Sequence, residues 1–153
     1  MDKKSTETVK EWLGRYRDAK WECRRLEGEY RDLVESQQSI SAIQYSDMPK
    51  ATDYERDLSG LFVRRDKYIV RIIQARTKMC KIRAEILAEI SQIKEPDQRT
   101  VLSMRYIQLD GYRYMSWEDI AAELHYGMDN VFKLHRNALK TLKSKVKSSN
   151  LQF

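Results

Sequence analysis

The residues whose chemistry is most readily named are cations near the end of the chain. From His125 onward stand Lys133, Arg136, Lys140, Lys143, Lys145 and Lys147, with Asp129 as the only carboxylate. Such a run neutralises phosphates and releases their counterions, giving an affinity that ignores base sequence and falls with salt. Side chains able to address base edges are interleaved with it. Asn130 and Asn137 carry the amide that pairs with adenine, Lys133 and Arg136 the donors that meet guanine, and Phe132 a ring that suits a thymine methyl. A basic run is equally the outer face of a solvated helix. The segment just upstream separates the two readings.

Other candidate chemistry is weaker. His125 and His135 have no neighbouring cysteine or third histidine to complete a zinc set, and the sequence holds neither a glycine-rich phosphate loop nor a nucleophile elbow. Glu118 and Asp119 read as an acidic helix start, not a catalytic dyad. No catalytic residue, metal site or cofactor is therefore expected, and the chain is not read as an enzyme. Tyr106, Tyr112, Tyr114 and Trp117 can stack on bases, but their spacing suits core and loop packing. His135 shares a side with Val131 and Leu142 and is expected to be partly buried. Cys23 and Cys80 read as buried thiols without a disulfide.

The last helix needs a frame. Asp97 can cap a helix carrying Val101, Leu102, Arg105, Tyr106 and Ile107, and Leu109 to Tyr112 reads as a turn around Gly111. Ser116 is the next N-cap, with Asp119 in the capping-box position. Ile120, Ala121 and Leu124 form the inner face of that helix, His125 to Gly127 a short turn, and Val131, Leu134, Ala138, Leu139 and Leu142 the inner face of the last. This is helix-turn-helix spacing, in which Ile120 is the first buried anchor, small Ala121 lets two helices cross closely, and Leu124, Tyr126, Val131 and Leu134 complete the core. His125 occupies the turn position that usually takes glycine, because the backbone there is left-handed. Histidine tolerates that conformation better than most residues.

Upstream, Val9, Trp12, Tyr16, Ala19, Cys23, Leu26, Tyr30 and Leu33 alternate by three and four, a coiled-coil seam. Gly14 and Gly28 weaken that helix by about 1 kcal/mol each. Ser36 to Thr52 loses the period and reads as a connector. A second seam runs through Leu58, Phe62, Ile69, Ile72, Met79, Ile86, Ile90 and Ile93 and stops before Pro96. Arg65, Arg76 and Arg83 lie on its stripe; they snorkel, pair with glutamates of the first helix, or mark a drift to the row of Ile73, Cys80 and Leu87. Two such helices suggest an antiparallel hairpin folded about residue 46, although the seams can equally be completed by another subunit, as in a homodimer. The expected class is all-α: a long, coiled-coil-like hairpin over 1–95 and a helix-turn-helix domain over 96–153. With 29 basic and 23 acidic residues, net +6, and only 5 Gly and 2 Pro, the composition fits long solvated helices with an anionic partner. No apolar run approaches the roughly 20 residues that cross a bilayer, so a soluble, cytoplasmic protein is expected.

The runs Asp97-Gln98-Arg99-Thr100-Val101-Leu102-Ser103-Met104-Arg105-Tyr106, Ser116-Trp117-Glu118-Asp119-Ile120-Ala121 and Ala138-Leu139-Lys140-Thr141-Leu142-Lys143 resemble region 4 of bacterial primary sigma factors. Together with the hairpin, the chain resembles the small sigma-region-4-like transcriptional regulators of Gram-positive phages and prophages. The resemblance implies double-stranded DNA as partner, a bacterial host cytoplasm, and a last helix in the major groove. It places Gly127, Met128, Asp129, Asn130, Phe132, Lys133, Arg136 and Asn137 at the bases, and Arg105 and the amides of Ser116 and Trp117 at phosphates. A contact with RNA polymerase follows from the resemblance alone. Met128, Asp129 and Asn130 replace the arginine-rich start of the sigma recognition helix, and Phe132 stands where a base-reading arginine is common. The sigma promoter sequence is therefore not inherited. The function expected is sequence-specific transcription regulation through helix 128–145. Its alternatives are a phage DNA-packaging or assembly adaptor using the same motif, and a protein-interaction scaffold.

Overall fold

A chain with so few helix breakers folds almost wholly into helices. The computed structural model describes residues 2–44 and 51–149, with side chains over 5–38 and 59–143. Among these residues α1 spans Asp2–Gln44, α2 Ala51–Ser91, α3 Pro96–Leu102, α4 Trp117–Leu124 and α5 Met128–Ser149. The fold is all-helical. None of these helices is long and apolar enough to cross a membrane.

Ser36 to Gln44, expected as connector, continues α1. Its serines are polar without breaking a helix: the Ser36 hydroxyl donates to the Asp32 carbonyl, 2.8 Å away, within the turn below. Of the rest of the expected connector, 45–50 lie outside the described residues, and Ala51 and Thr52 already belong to α2.

Contacts divide the chain into two compact units, residues 1–20 with 79–153, and residues 21–78. This division departs from one at 95/96. In the first unit Val9, Leu13, Tyr16 and Ala19 of α1 and Ile82, Ile86, Ile90 and Ile93 of α2 share one core with Leu102, Tyr106 and Ile107, and with Ala138, Leu139 and Leu142 of α5. Leu13, fully buried, takes the inner place expected of Trp12, which packs at the margin of the core. Arg15 of α1 pairs with Glu85 of α2 at 3.2 Å.

The second unit contains the middle stretches of α1 and α2. Cys23 and Leu26 are its buried residues on α1. On α2 the half-buried row is Leu61, Arg65, Tyr68, Ile72 and Ala75, whereas Phe62 and Ile69, expected inside, are exposed. A helix drifts about 20° per heptad against a strict seven-residue repeat, so the inner row of one stretch need not extrapolate to the next. Arg76 pairs with Glu27, one of the alternatives open for the seam arginines. A fold about residue 46 would have set Glu27 beside Arg65. Neither cysteine is in a disulfide; Cys23 is buried, but Cys80, expected to be buried too, is exposed because Met79 and Ile82 hold the inner face beside it.

Candidate nucleic-acid interface

α2 ends at Ser91, ahead of Pro96. Arg99 of α3 closes the connection, its Nη1 donating to the carbonyls of Ile93 at 2.6 Å and Lys94 at 3.3 Å. Such carbonyls past a helix end have no partner within it. Proline fixes the first helical residue, so the N-cap of α3 is Glu95 and not Asp97. Asp97 instead accepts a 2.8 Å hydrogen bond from the Tyr126 hydroxyl, which ties α3 to the turn between α4 and α5 and leaves Tyr126, expected in the core, exposed. That bond, beside the Asp97 carboxylate, raises the phenol's pKa.

After Leu102 the helix widens into a π-helical turn, Ser103–Ile107, closed by Gln108 N–H to the Ser103 carbonyl at 2.8 Å. Met104, Tyr106 and Ile107 of this turn are all buried, Tyr106 and Ile107 in the core shared with α1 and α2 and Met104 on another side. Asp110 and Arg113 then exchange two backbone hydrogen bonds of 3.0 and 2.9 Å. Gly111, at φ 64°, is the first central residue of this turn, the position where a type II′ hairpin takes glycine. Arg17 of α1 fixes the loop by donating to the Tyr112 carbonyl at 3.1 Å and stacking 4.9 Å over the Tyr114 ring.

α4 starts as the residue types require. Ser116 is its N-cap, and the hydroxyl accepts the Asp119 N–H at 3.1 Å. His125 ends it in the left-handed conformation, φ 55°, the one non-glycine at positive φ among the described residues. Its N–H and that of Tyr126 return to the carbonyls of Ala122 and Ala121. Ile120, Ala121 and Val131 meet Val101 and Met104 in a second core, with Trp117, Leu124, Met128 and Leu134 packed against it.

This frame presents α5 with one face locked inward. Val131, His135, Ala138, Leu139 and Leu142 are buried, and Asp129, Phe132, Lys133, Arg136 and Lys140 form an exposed row opposite. Asn130, exposed, and Asn137, half-buried, stand on its flank. Met128, expected to face a groove, packs instead against the second core. Lys143 is half-buried, and the side chains of Lys145 and Lys147 lie outside the described residues. The three residues assigned to phosphate contact are placed otherwise than in that row. Arg105 is half-buried, donates to the Met115 carbonyl at 2.5 Å, and lies 4.4 Å from the Trp117 ring centre and 4.9 Å from that of Tyr114. Burial lowers its pKa. Ser116 is engaged in its cap, and the helix start there carries Glu118 and Asp119, whose charge opposes a phosphate.

Trp117 acts as a platform that residue spacing alone did not assign. Its ring meets Phe132 edge-on at 5.3 Å and His135 at 4.7 Å. Phe132, 40% exposed, is thus propped outward in the cationic row. Beneath it His135, Nε2 3.0 Å from the Tyr106 hydroxyl, is held near pKa 4 by burial, with Lys10 and Arg105 adding to the shift. Clusters of three or more His, Cys, Asp or Glu able to hold a metal do not occur among the described residues. Comparison with protein-family models, curated proteins and solved structures finds no match to this chain.

Proposed function

We propose that this protein is a non-catalytic, sequence-specific DNA-binding regulator, in which α4, the His125 turn and α5 are a helix-turn-helix and α5 enters the major groove. The single observation that carries the reading is the exposed row Lys133, Arg136 and Lys140 on a helix whose opposite face is anchored by Val131, Ala138 and Leu142, each 0% exposed. A cationic edge held in fixed orientation is what groove entry requires. Phe132 and Asn130 on the same helix are side chains that can discriminate bases. The left-handed His125 supports the motif, since the turn needs that backbone. The likeness to sigma region 4 supports transcription as the process served.

The stretches upstream are read as an antiparallel, coiled-coil-like hairpin. Within residues 21–78, Glu27 meets Arg76 while Asp32 and Ser36 line one groove with Arg64 and Arg71, so position along one helix rises as it falls along the other.

Selection from a pool of random duplexes, followed by gel shift of the enriched site, tests the function. Affinity should fall steeply between low and physiological salt. Charge reversal at both Lys133 and Arg136 should weaken binding by about tenfold or more and flatten the salt slope by about one for each phosphate that is no longer neutralised. Binding that is absent, or insensitive to salt, would refute the proposal.

A further inference from the structure

On the second unit, α2 carries a second apolar stripe that points away from its α1-facing row. Phe62, Val63, Val70 and Ile73 are 55, 52, 52 and 59% exposed, and Ile69 is 40% exposed. Isolated exposed apolar residues are ordinary, but a contiguous stripe marks a docking surface. The spacing of Phe62, Ile69 and Ile73, seven and then four residues, is the repeat by which one helix receives another. A shallow groove runs along one edge, lined by Val63, Asp66, Lys67, Val70 and Arg71.

The charges beside the stripe select its occupant. On a helical wheel Arg65 borders one side, and Lys67, Lys78 and Arg71 the other, with Asp66 as the lone carboxylate between. A second copy of this helix would bring those cations against their own counterparts, a like-charge arrangement that suppresses pairing at an interface. An acidic helix would complement them. We infer that this face of α2 docks an acidic amphipathic helix of a partner protein, Phe62, Ile69 and Ile73 supplying the apolar contact and Arg65, Lys67 and Arg71 the register. This inference does not depend on the DNA-binding reading.

The test uses the full chain and two synthetic helical peptides with leucines at three-four spacing, one flanked by glutamates and the other by lysines. Fluorescence anisotropy should show saturable binding of the glutamate peptide, with the lysine peptide at least about tenfold weaker. Ile69→Ser with Ile73→Ser should abolish binding, while circular dichroism and the thermal melt stay those of the unaltered chain. Equal affinity for both peptides, or none for either, overturns the inference. So does a doubled mass in ultracentrifugation that the serine pair returns to one chain, which would make a second copy the occupant, or tight binding to anionic phosphatidylglycerol vesicles, which would make it a membrane.

Discussion

His135 is the residue through which mild acid reaches the fold. In the unfolded chain its imidazole titrates near 6.5; in the core, burial holds it near 4. Between those values the unfolded state binds a proton that the folded state refuses, so stability falls as pH drops from about 6.5 toward 4. Urea midpoints at pH 7 and pH 5 should show this loss. His135→Leu should flatten it, while lowering stability at pH 7 by about 1–3 kcal/mol because the Tyr106 hydroxyl loses its partner. A pH dependence identical in the variant would remove His135 from the account. His125 poses a backbone question instead: its φ of 55° suits glycine and punishes a β-branched side chain. His125→Val should cost about 1–2 kcal/mol, and His125→Gly little or nothing, in thermal melts. At this scale the sequence was legible wherever a residue type has one structural use, as with the Ser116 cap and the Gly111 turn. It was not legible for Arg105, because a guanidinium that stacks on rings and one that meets phosphate look alike until Tyr114 and Trp117 are brought beside it.

At the scale of elements, two glycines in α1 have opposite meanings. Nothing lies within 4 Å of a Cβ added at Gly28, so Gly28→Ala should stabilise by roughly 0.5–1 kcal/mol through helix propensity alone. A Cβ at Gly14 would stand 3.0 Å from the Tyr114 hydroxyl. Gly14→Ala should therefore forfeit that gain and destabilise, since Tyr114 also carries the stacked guanidiniums of Arg17 and Arg105. Denaturant melts of the two variants should move in opposite directions; parallel movement would show that Tyr114 yields freely. Helix existence was legible from three-four periodicity, and inner rows were legible where apolar residues were unambiguous, as along Ile86, Ile90 and Ile93. The row failed at Phe62 and Ile69 because α2 carries apolar residues on two faces, and periodicity does not say which of them meets α1. The π-helical turn left no signal, since nothing in Ser103 to Ile107 distinguishes a hydrogen bond to the fifth residue from one to the fourth.

At the scale of the molecule, the core crosses the boundary that composition suggests. Leu102, Leu139 and Leu142 pack with Leu13, Ile86 and Ile93, all 0–1% exposed. A fragment comprising residues 96–153 would bare that surface, and each fully buried leucine or isoleucine stabilises by about 1.5–3 kcal/mol. Such a fragment should melt far below the whole chain and lose cooperativity in circular dichroism. Adding back residues 79–95 and a peptide of residues 1–20 should restore part of the transition. If 96–153 folds with full stability alone, the shared core is dispensable. The change of texture at Pro96 is real in the sequence, but it marks a bend in the chain and not the edge of a core.

The nesting of residues 21–78 between the two contributors to the larger core imposes an order on synthesis. The inner pair of helical stretches leaves the ribosome complete while α5 has yet to be made. Val9, Leu13 and Tyr16 must wait for Leu142, on the order of ten seconds at ordinary elongation rates. During that interval their apolar side chains lack full native cover, and nascent chains are then exposed to holdase chaperones and to one another on a polysome.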